Sequence, residues 1–163
     1  MHNLVFYLKK GCQVKLLDHL DVRCIASLDV STRDEAIEKL VDLLLEAKQI
    51  KDARHFYKAV LDREKIVSTG IGLGVAIPHA KLKEFDDFFI AIGIQKEKGL
   101  DWNSLDNNPV RLIFLIGGPE KRQTDYLQLL SKLTSALKEE SLRKALISGN
   151  LEKEQVIQLF EKY

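Results

Sequence analysis

Apolar residues recur along this chain with two different periods. Ile37, Leu40, Val41 and Leu44 return every three to four positions, which predicts a helix with one apolar face. Ser31 stands before it as a capping residue and Asp34 follows three positions on, close to a capping box. Ala53, Phe56 and Val60 predict a second helix over about 52–63, and Arg63 falls one turn beyond Val60, pointing roughly where the core face points. Leu127, Leu130, Leu133 and Leu137 mark a third over about 125–139. Its core face takes Leu127, Leu130 and Leu133, with Tyr126 in the first turn at the edge of that face. Short helices at about 141–148 and 152–162 close the chain. Other apolar runs lack helical spacing. Cys24–Leu28, Val75–Ile77, Phe88–Ile94 and Val110–Ile116 read as strands, the last ended by Gly117-Gly118-Pro119. Strands mixed with helices predict an α/β fold in which helices cover a sheet.

Composition narrows the class without naming a function. The chain has 163 residues, enough for one domain with a proper core; residues 1 to about 12 read as a loose extension ahead of a single domain over 13–163. With 25 basic and 24 acidic residues the net charge is +1, so no overall field favours nucleic acid or an anionic membrane. Lys9-Lys10 and Lys81-x-Lys83 read as solvated faces. Cys12 and Cys24 are too few for a disulfide framework and fit no zinc pattern, so both are expected as reduced thiols in a cytoplasmic protein. The run Leu4–Leu8 is shorter than a signal-peptide core, and no segment approaches a membrane span. Neither a cofactor nor a metal site is indicated.

The candidate chemistry lies in "STGIGLGVAIPHA", residues 68–80. Gly70, Gly72 and Gly74 alternate with apolar residues, but the spacing matches neither the nucleotide P-loop nor the dinucleotide fingerprint. By itself such a stretch is a mobile loop entering a strand. His79 changes the reading, because Pro78 fixes its approach and Arg63 lies shortly before the loop, with Ser68 and Thr69 between. His2, His19 and His55 have no such context and read as structural. A neutral imidazole can attack phosphorus with one nitrogen while the other donates a hydrogen bond that fixes the tautomer. A guanidinium neutralises phosphoryl charge in a geometry lysine cannot copy, and the two hydroxyls can bond a phosphoryl oxygen.

"LDREKIVSTGIGLGVAIPHAKL", residues 61–82, resembles the active-site signature of the enzyme IIA domains of the bacterial sugar phosphotransferase system, in the fructose/mannitol superfamily and most closely the nitrogen-regulatory members. Leu100-Asp101-Trp102, Asp106–Val110 and Tyr126–Leu130 fall where that family has similar blocks, so the resemblance spans roughly 16–160. It implies a three-layer α/β/α sandwich around a mixed sheet. It implies that His79 accepts a phosphoryl group from the phosphohistidine of a small carrier protein of HPr type, through Nε2 by family practice. Arg63 would stabilise that group, Ser68 and Thr69 would line the pocket, the three glycines would let the loop lie close to the donor surface, and Pro78 would aim His79. The chain departs from the family at two places. Tyr126 stands where a second active-site histidine is common, and Ala80 where Gly is common. Tyrosine keeps a hydroxyl that could donate to the phosphoryl group or to His79, but it cannot become a cation.

With no membrane, carrier or IIB segment within these 163 residues, a regulator is expected over a component of sugar uptake. Regulatory target proteins or an enzyme IIB are the expected further partners. Three alternatives stay open: a sugar-specific enzyme IIA passing phosphate to an enzyme IIB, a binding module with no onward transfer, and an anion-binding domain with no phosphorylation.

Overall fold

The computed structural model describes residues 13–96 and 98–163. His2, Lys9, Lys10, Cys12 and the run Leu4–Leu8 lie outside the described residues. A 3-10 turn, Leu16–His19, leads into β1 (Leu20–Leu28), followed by α1 (Arg33–Glu46) and α2 (Ala53–Ile66). Then come β2 (Gly70–Gly72), β3 (Val75–Ala76), β4 (His79–Leu82), β5 (Phe89–Gln95) and β6 (Leu112–Pro119). The helices α3 (Gln123–Lys138), α4 (Glu140–Ile147) and α5 (Lys153–Gln158) finish the chain.

The strands form one mixed sheet in the order β1-β5-β6-β3-β2. β1 is parallel to β5, β5 antiparallel to β6, and β3 and β4 both parallel to β6. β3 and β4 keep the same register along β6, with Ala76 opposite Ile113 and His79 opposite Ile116. They are one line interrupted at Ile77-Pro78, where proline has no N–H to donate.

Two cores lie on opposite faces of this sheet, which makes the expected three layers. Ile37, Leu40, Val41 and Leu44 of α1 and Phe56 and Val60 of α2 pack with Cys24, Leu28, Ala91, Ile113 and Leu115. Leu129, Leu133 and Leu137 of α3, Leu142 and Leu146 of α4 and Val156 of α5 pack with Ile25, Ile90, Ile92, Phe114 and Ile116. Residues alternate across each strand, so neighbours such as Ile113 and Phe114 feed different cores. Cys24 is a buried free thiol whose pKa burial pushes up to about 11.

Several sequence expectations are displaced here. α1 is capped by Thr32, whose hydroxyl accepts from the Glu35 N–H, while Glu35 accepts from the Thr32 N–H. Ser31 and Asp34 do not form the box, because the longer Glu35 carboxylate reaches back to the capping amide. Gly117-Gly118-Pro119 continues β6 instead of ending it. A Cβ on Gly117 would sit 2.2 Å from the Phe89 ring and one on Gly118 2.1 Å from the Phe88 ring, so these glycines make room for one aromatic ring on each face. In α3 the buried residues are Tyr126, Leu129, Leu133, Ala136 and Leu137, while Leu127 is exposed and Leu130 half-buried. Helical spacing fits two adjacent rows of this helix, and contact with the sheet selects the row that contains Tyr126.

Candidate functional site

His79 opens β4 at the sheet edge. Ile77, His79 and Lys81 share the face toward α3, while Ala76 and Ala80 pack beneath α1 and α2. Pro78 is buried, and its carbonyl accepts from the Ile116 N–H at 3.0 Å, which ties the approach to His79 into the centre of the sheet. His79 Nδ1 lies 2.9 Å from the Ile77 carbonyl oxygen. A carbonyl only accepts, so Nδ1 carries the proton and Nε2 presents a lone pair. Burial is the main influence on the imidazole and holds its pKa below the usual histidine range. The Ile77 hydrogen bond and Glu64 push it up, while the positive charges of Arg63 and Lys81 push it down. At neutral pH the ring is therefore uncharged.

Arg63 and Lys81 bring positive charge to this ring from two elements. Arg63 stands in the last turn of α2, half-buried, where Nη1 donates to the Val67 carbonyl at 3.1 Å and closes the helix end. Lys81 donates to the Gln123 side chain at the start of α3, with Nζ 4.7 Å from the centroid of the Tyr126 ring. Neither cation has a carboxylate partner among the described residues. Lys81 is thus part of the His79 surroundings and not simply a solvated lysine. The Tyr126 ring lies 5.5 Å from the imidazole, centroid to centroid, at 44°.

The glycine segment serves needs inside the molecule. β2 and β3 form a hairpin whose two turn residues, Leu73 and Gly74, both have positive φ, 59° and 74°. That geometry matches the twist of paired strands and is strained for most side chains. A Cβ on Gly70 would come 2.4 Å from Ser104 Oγ. Gly70 and Gly72 are buried, so they do not face a donor protein; the residues the hairpin presents outward are Ile71 and Leu73.

Ser68 and Thr69 are committed elsewhere. Ser68 Oγ donates to the Trp102 carbonyl at 2.6 Å, and Thr69 Oγ1 donates to Glu64 Oε2 at 2.6 Å. Their expected role as donors to a phosphoryl group is not the one this arrangement gives them. Glu64, which the motif contains beside Arg63 without a role of its own, organises the corner. It is 3% exposed and also accepts from the Thr69 N–H and the Trp102 indole N–H. The signal was available in its spacing, since Phe56, Val60 and Glu64 lie one turn apart and form the buried face of α2. Arg63 sits one position aside from that face. His19 and His55 have structural partners, the Phe88 carbonyl and the Glu84 carboxylate.

A neutral imidazole with a free Nε2, flanked by two cations, suits attack on an electrophile that carries negative charge. Comparison with known proteins decides the family. The sequence profile described as "Phosphoenolpyruvate-dependent sugar phosphotransferase system, EIIA 2" matches residues 18–163. The chain belongs to that family. EIIA proteins are phosphotransfer components of the system. Over 149 residues the chain is 33% identical to the fructose-specific EIIA component of Haloferax volcanii, covering 87% of this chain and 95% of the relative. It is 36% identical over 126 residues to the fructose-specific EIIABC component of Bacillus subtilis, of which it spans only 20%. It is 30% identical over 122 residues to a nitrogen regulatory protein of Bradyrhizobium diazoefficiens, covering 75% of this chain and 78% of the relative. Among solved structures, the nitrogen regulatory protein IIA-Ntr from Neisseria meningitidis superposes with a TM-score of 0.82 at 27% identity, covering 89% of this chain and 98% of that one. The mannitol IIA of Escherichia coli, at 23% identity and a TM-score of 0.72, shares the fold. No helix of this EIIA protein among the described residues is long and apolar enough to cross a membrane.

Proposed function

We propose that this EIIA protein is a cytoplasmic phosphocarrier that accepts a phosphoryl group on Nε2 of His79 from the phosphohistidine of an HPr-type carrier, and that it acts mainly in regulation through residues 13–163 as one domain. The observation that carries the reading is the state of His79: uncharged, its Nδ1 proton held by Ile77, its Nε2 lone pair uncommitted, with Arg63 and Lys81 acting on the ring. In the transfer, the Nε2 lone pair forms the new N–P bond while the donor's N–P bond breaks, its electron pair returning to the donor imidazole. Arg63 neutralises the phosphoryl oxygens as they pass between the two nitrogens, with positioning and charge supplying the catalysis.

A protein donor fits the surface around the site. Ile66 and Val67 at the end of α2, Ile71 and Leu73 on the hairpin, and Leu105 nearby are all exposed apolar residues. They meet in one corner: the Val67 carbonyl bonds Arg63, and the Leu105 N–H faces the Gly70 carbonyl. Clustered exposed apolar side chains mark interaction surfaces. The regulatory reading rests on the likeness to nitrogen regulatory proteins in sequence and structure. Identity to two fructose-specific relatives favours a second reading, onward transfer to an enzyme IIB.

Incubation with phosphoenolpyruvate, enzyme I and an HPr-type carrier tests the proposal. Intact mass should rise by one phosphoryl group, labile to acid and stable to base, and His79→Ala should take up none. Acid-stable label on Ser68 or Thr69 would defeat it. Adding a fructose-type enzyme IIB then separates the readings: retained label supports regulation, and rapid loss to the IIB supports uptake.

A further inference from the structure

Two leucines are held out into solvent on backbone that burial does not explain. Leu73, 52% exposed, is the first turn residue of the β2–β3 hairpin, with φ at 59°. Glycine and asparagine adopt that left-handed conformation with least strain, and leucine does not share their ease. Leu105, 88% exposed, stands in the loop 101–109 between Asn103 and Asn107, both left-handed at φ 53° and 58°. One carboxylate ties the two turns together. Asp106 Oδ2 accepts from the Leu73 N–H and from Asn108 Nδ2, each at 2.9 Å, while Oδ1 accepts from the Asn108 N–H at 3.0 Å. The Leu105 N–H donates to the Gly70 carbonyl at 3.4 Å, and the buried Trp102 roots the loop through its indole N–H on Glu64. The pair is therefore carried on one braced unit. A braced apolar side chain loses little freedom when a partner covers it.

The place of this unit says which partner that is. Val75 lies opposite Leu112 and His79 opposite Ile116, so the hairpin turn and His79 are separated by four residues of β6, about 13 Å. Gly70, which holds Leu105, pairs with Ala76 between them. A protein that delivers a phosphoryl group to His79 covers about 800 Å² of this chain, a patch roughly 30 Å across, which spans from His79 to both leucines. From the reading of His79 as phosphoryl acceptor, on which this step rests, we infer that Leu73 and Leu105 are the paired anchors that select the carrier protein, each entering an apolar recess on its surface, and that Asp106 sets their spacing. Docking and chemistry are then divided between two parts of one face. The leucines govern how tightly a carrier is held, and Arg63 and His79 govern how fast its phosphoryl group passes.

The experiment measures single-turnover transfer over a range of phosphorylated carrier concentrations for parent, Leu73→Asn, Leu105→Ser and Asp106→Ala. Asparagine suits the left-handed turn, so Leu73→Asn removes the apolar side chain and keeps the hairpin; its thermal midpoint should be no lower than that of the parent. Each leucine variant should raise the half-saturating carrier concentration by about five-fold or more, with the rate at saturation unchanged. Asp106→Ala, which keeps both leucines, should shift half-saturation in the same direction because their spacing is no longer fixed. Unchanged half-saturation in both leucine variants would overturn the inference while leaving His79 as the acceptor. So would a change confined to the saturating rate, or self-association of the parent that Leu105→Ser abolishes without touching half-saturation, which would make a second copy the occupant. A parent that takes up no phosphoryl group on His79 would instead remove the functional reading, and this inference with it.

Discussion

Glu64 and Tyr126 are both buried polar residues close to His79, and they end in opposite conditions. The Glu64 carboxylate receives the Thr69 N–H, the Thr69 hydroxyl and the Trp102 indole N–H, at 2.8, 2.6 and 3.0 Å. The Tyr126 hydroxyl receives and gives nothing among the described residues. The first network is closed, and it clamps the end of α2 to the segment that leads into the hairpin. The second has no such partner, and its ring lies 5.5 Å from the imidazole, centroid to centroid. A closed buried network makes a scaffold rigid. The site therefore rests on a rigid corner, while the Tyr126 ring is held by packing against Phe88 and Lys81.

The largest effect is expected at the ring these two groups flank. His79→Ala should abolish labelling while changing unfolding stability by no more than about 1 kcal/mol, since the half-buried ring fills little core. A large loss in urea unfolding would show that His79 belongs to the scaffold side of the comparison. Next comes the closed network. Glu64→Leu should cost about 2–4 kcal/mol in urea unfolding, because three donors lose their acceptor at once. Glu64→Gln, which keeps one acceptor oxygen, should recover part of it. If Glu64→Leu were as stable as the parent, the network would hold nothing together.

A smaller effect is expected at Arg63. Arg63→Lys keeps the charge and loses the planar fork, so single-turnover transfer should slow by about ten-fold with stability nearly unchanged. An unchanged rate would remove Arg63 from the transfer. The pH dependence then sharpens the picture. The folded pKa of His79 is depressed below the unfolded value of 6.5, so the neutral nucleophile persists to lower pH than in a free histidine. The fall in transfer rate with pH should therefore set in at lower pH than the free-histidine value of 6.5 would place it. Stability follows the same direction: above the unfolded pKa neither state holds the proton, and as pH falls through the depressed folded value the unfolded chain takes it up first, so stability declines. A transfer rate already falling between pH 8 and 7 would contradict the burial of the ring. The smallest effect is on the stability of unphosphorylated Tyr126→Phe, expected within about 0.5 kcal/mol of the parent because the hydroxyl has no bond among the described residues and the ring packing is kept.

Much of the frame was legible in the sequence. Ile37, Leu40, Val41 and Leu44 declared the buried face of α1, since a 14-residue helix leaves only one stripe at that spacing. The strand before Pro78 followed from proline sterics, and His79 stood out through its neighbours. The errors share a cause. Helical spacing admits Leu127 to the core face of α3 as readily as Tyr126, yet the sheet surface takes the row with the tyrosine. The Gly117-Gly118-Pro119 stretch looked like a stop because its glycines carry no side chain, while Phe88 and Phe89, nearly thirty positions earlier, supply the packing instead.

The sequence by itself determined the alternation of elements, the family and the presence of a histidine approached through a fixed backbone, because these rest on local sterics, periodicity and contiguous motif spacing. Only the tertiary structure decided which groups share the site. Glu64 and Trp102, Lys81 and Gln123, Tyr126 and His79 are joined across 38, 42 and 47 positions of chain. Hydrogen bonds and burial depend on distance in space, and the pairing of β3 and β4 with β6 sets those distances. The same folding that gave Thr69 an acceptor left Tyr126 without one among the described residues, a difference written in no local pattern.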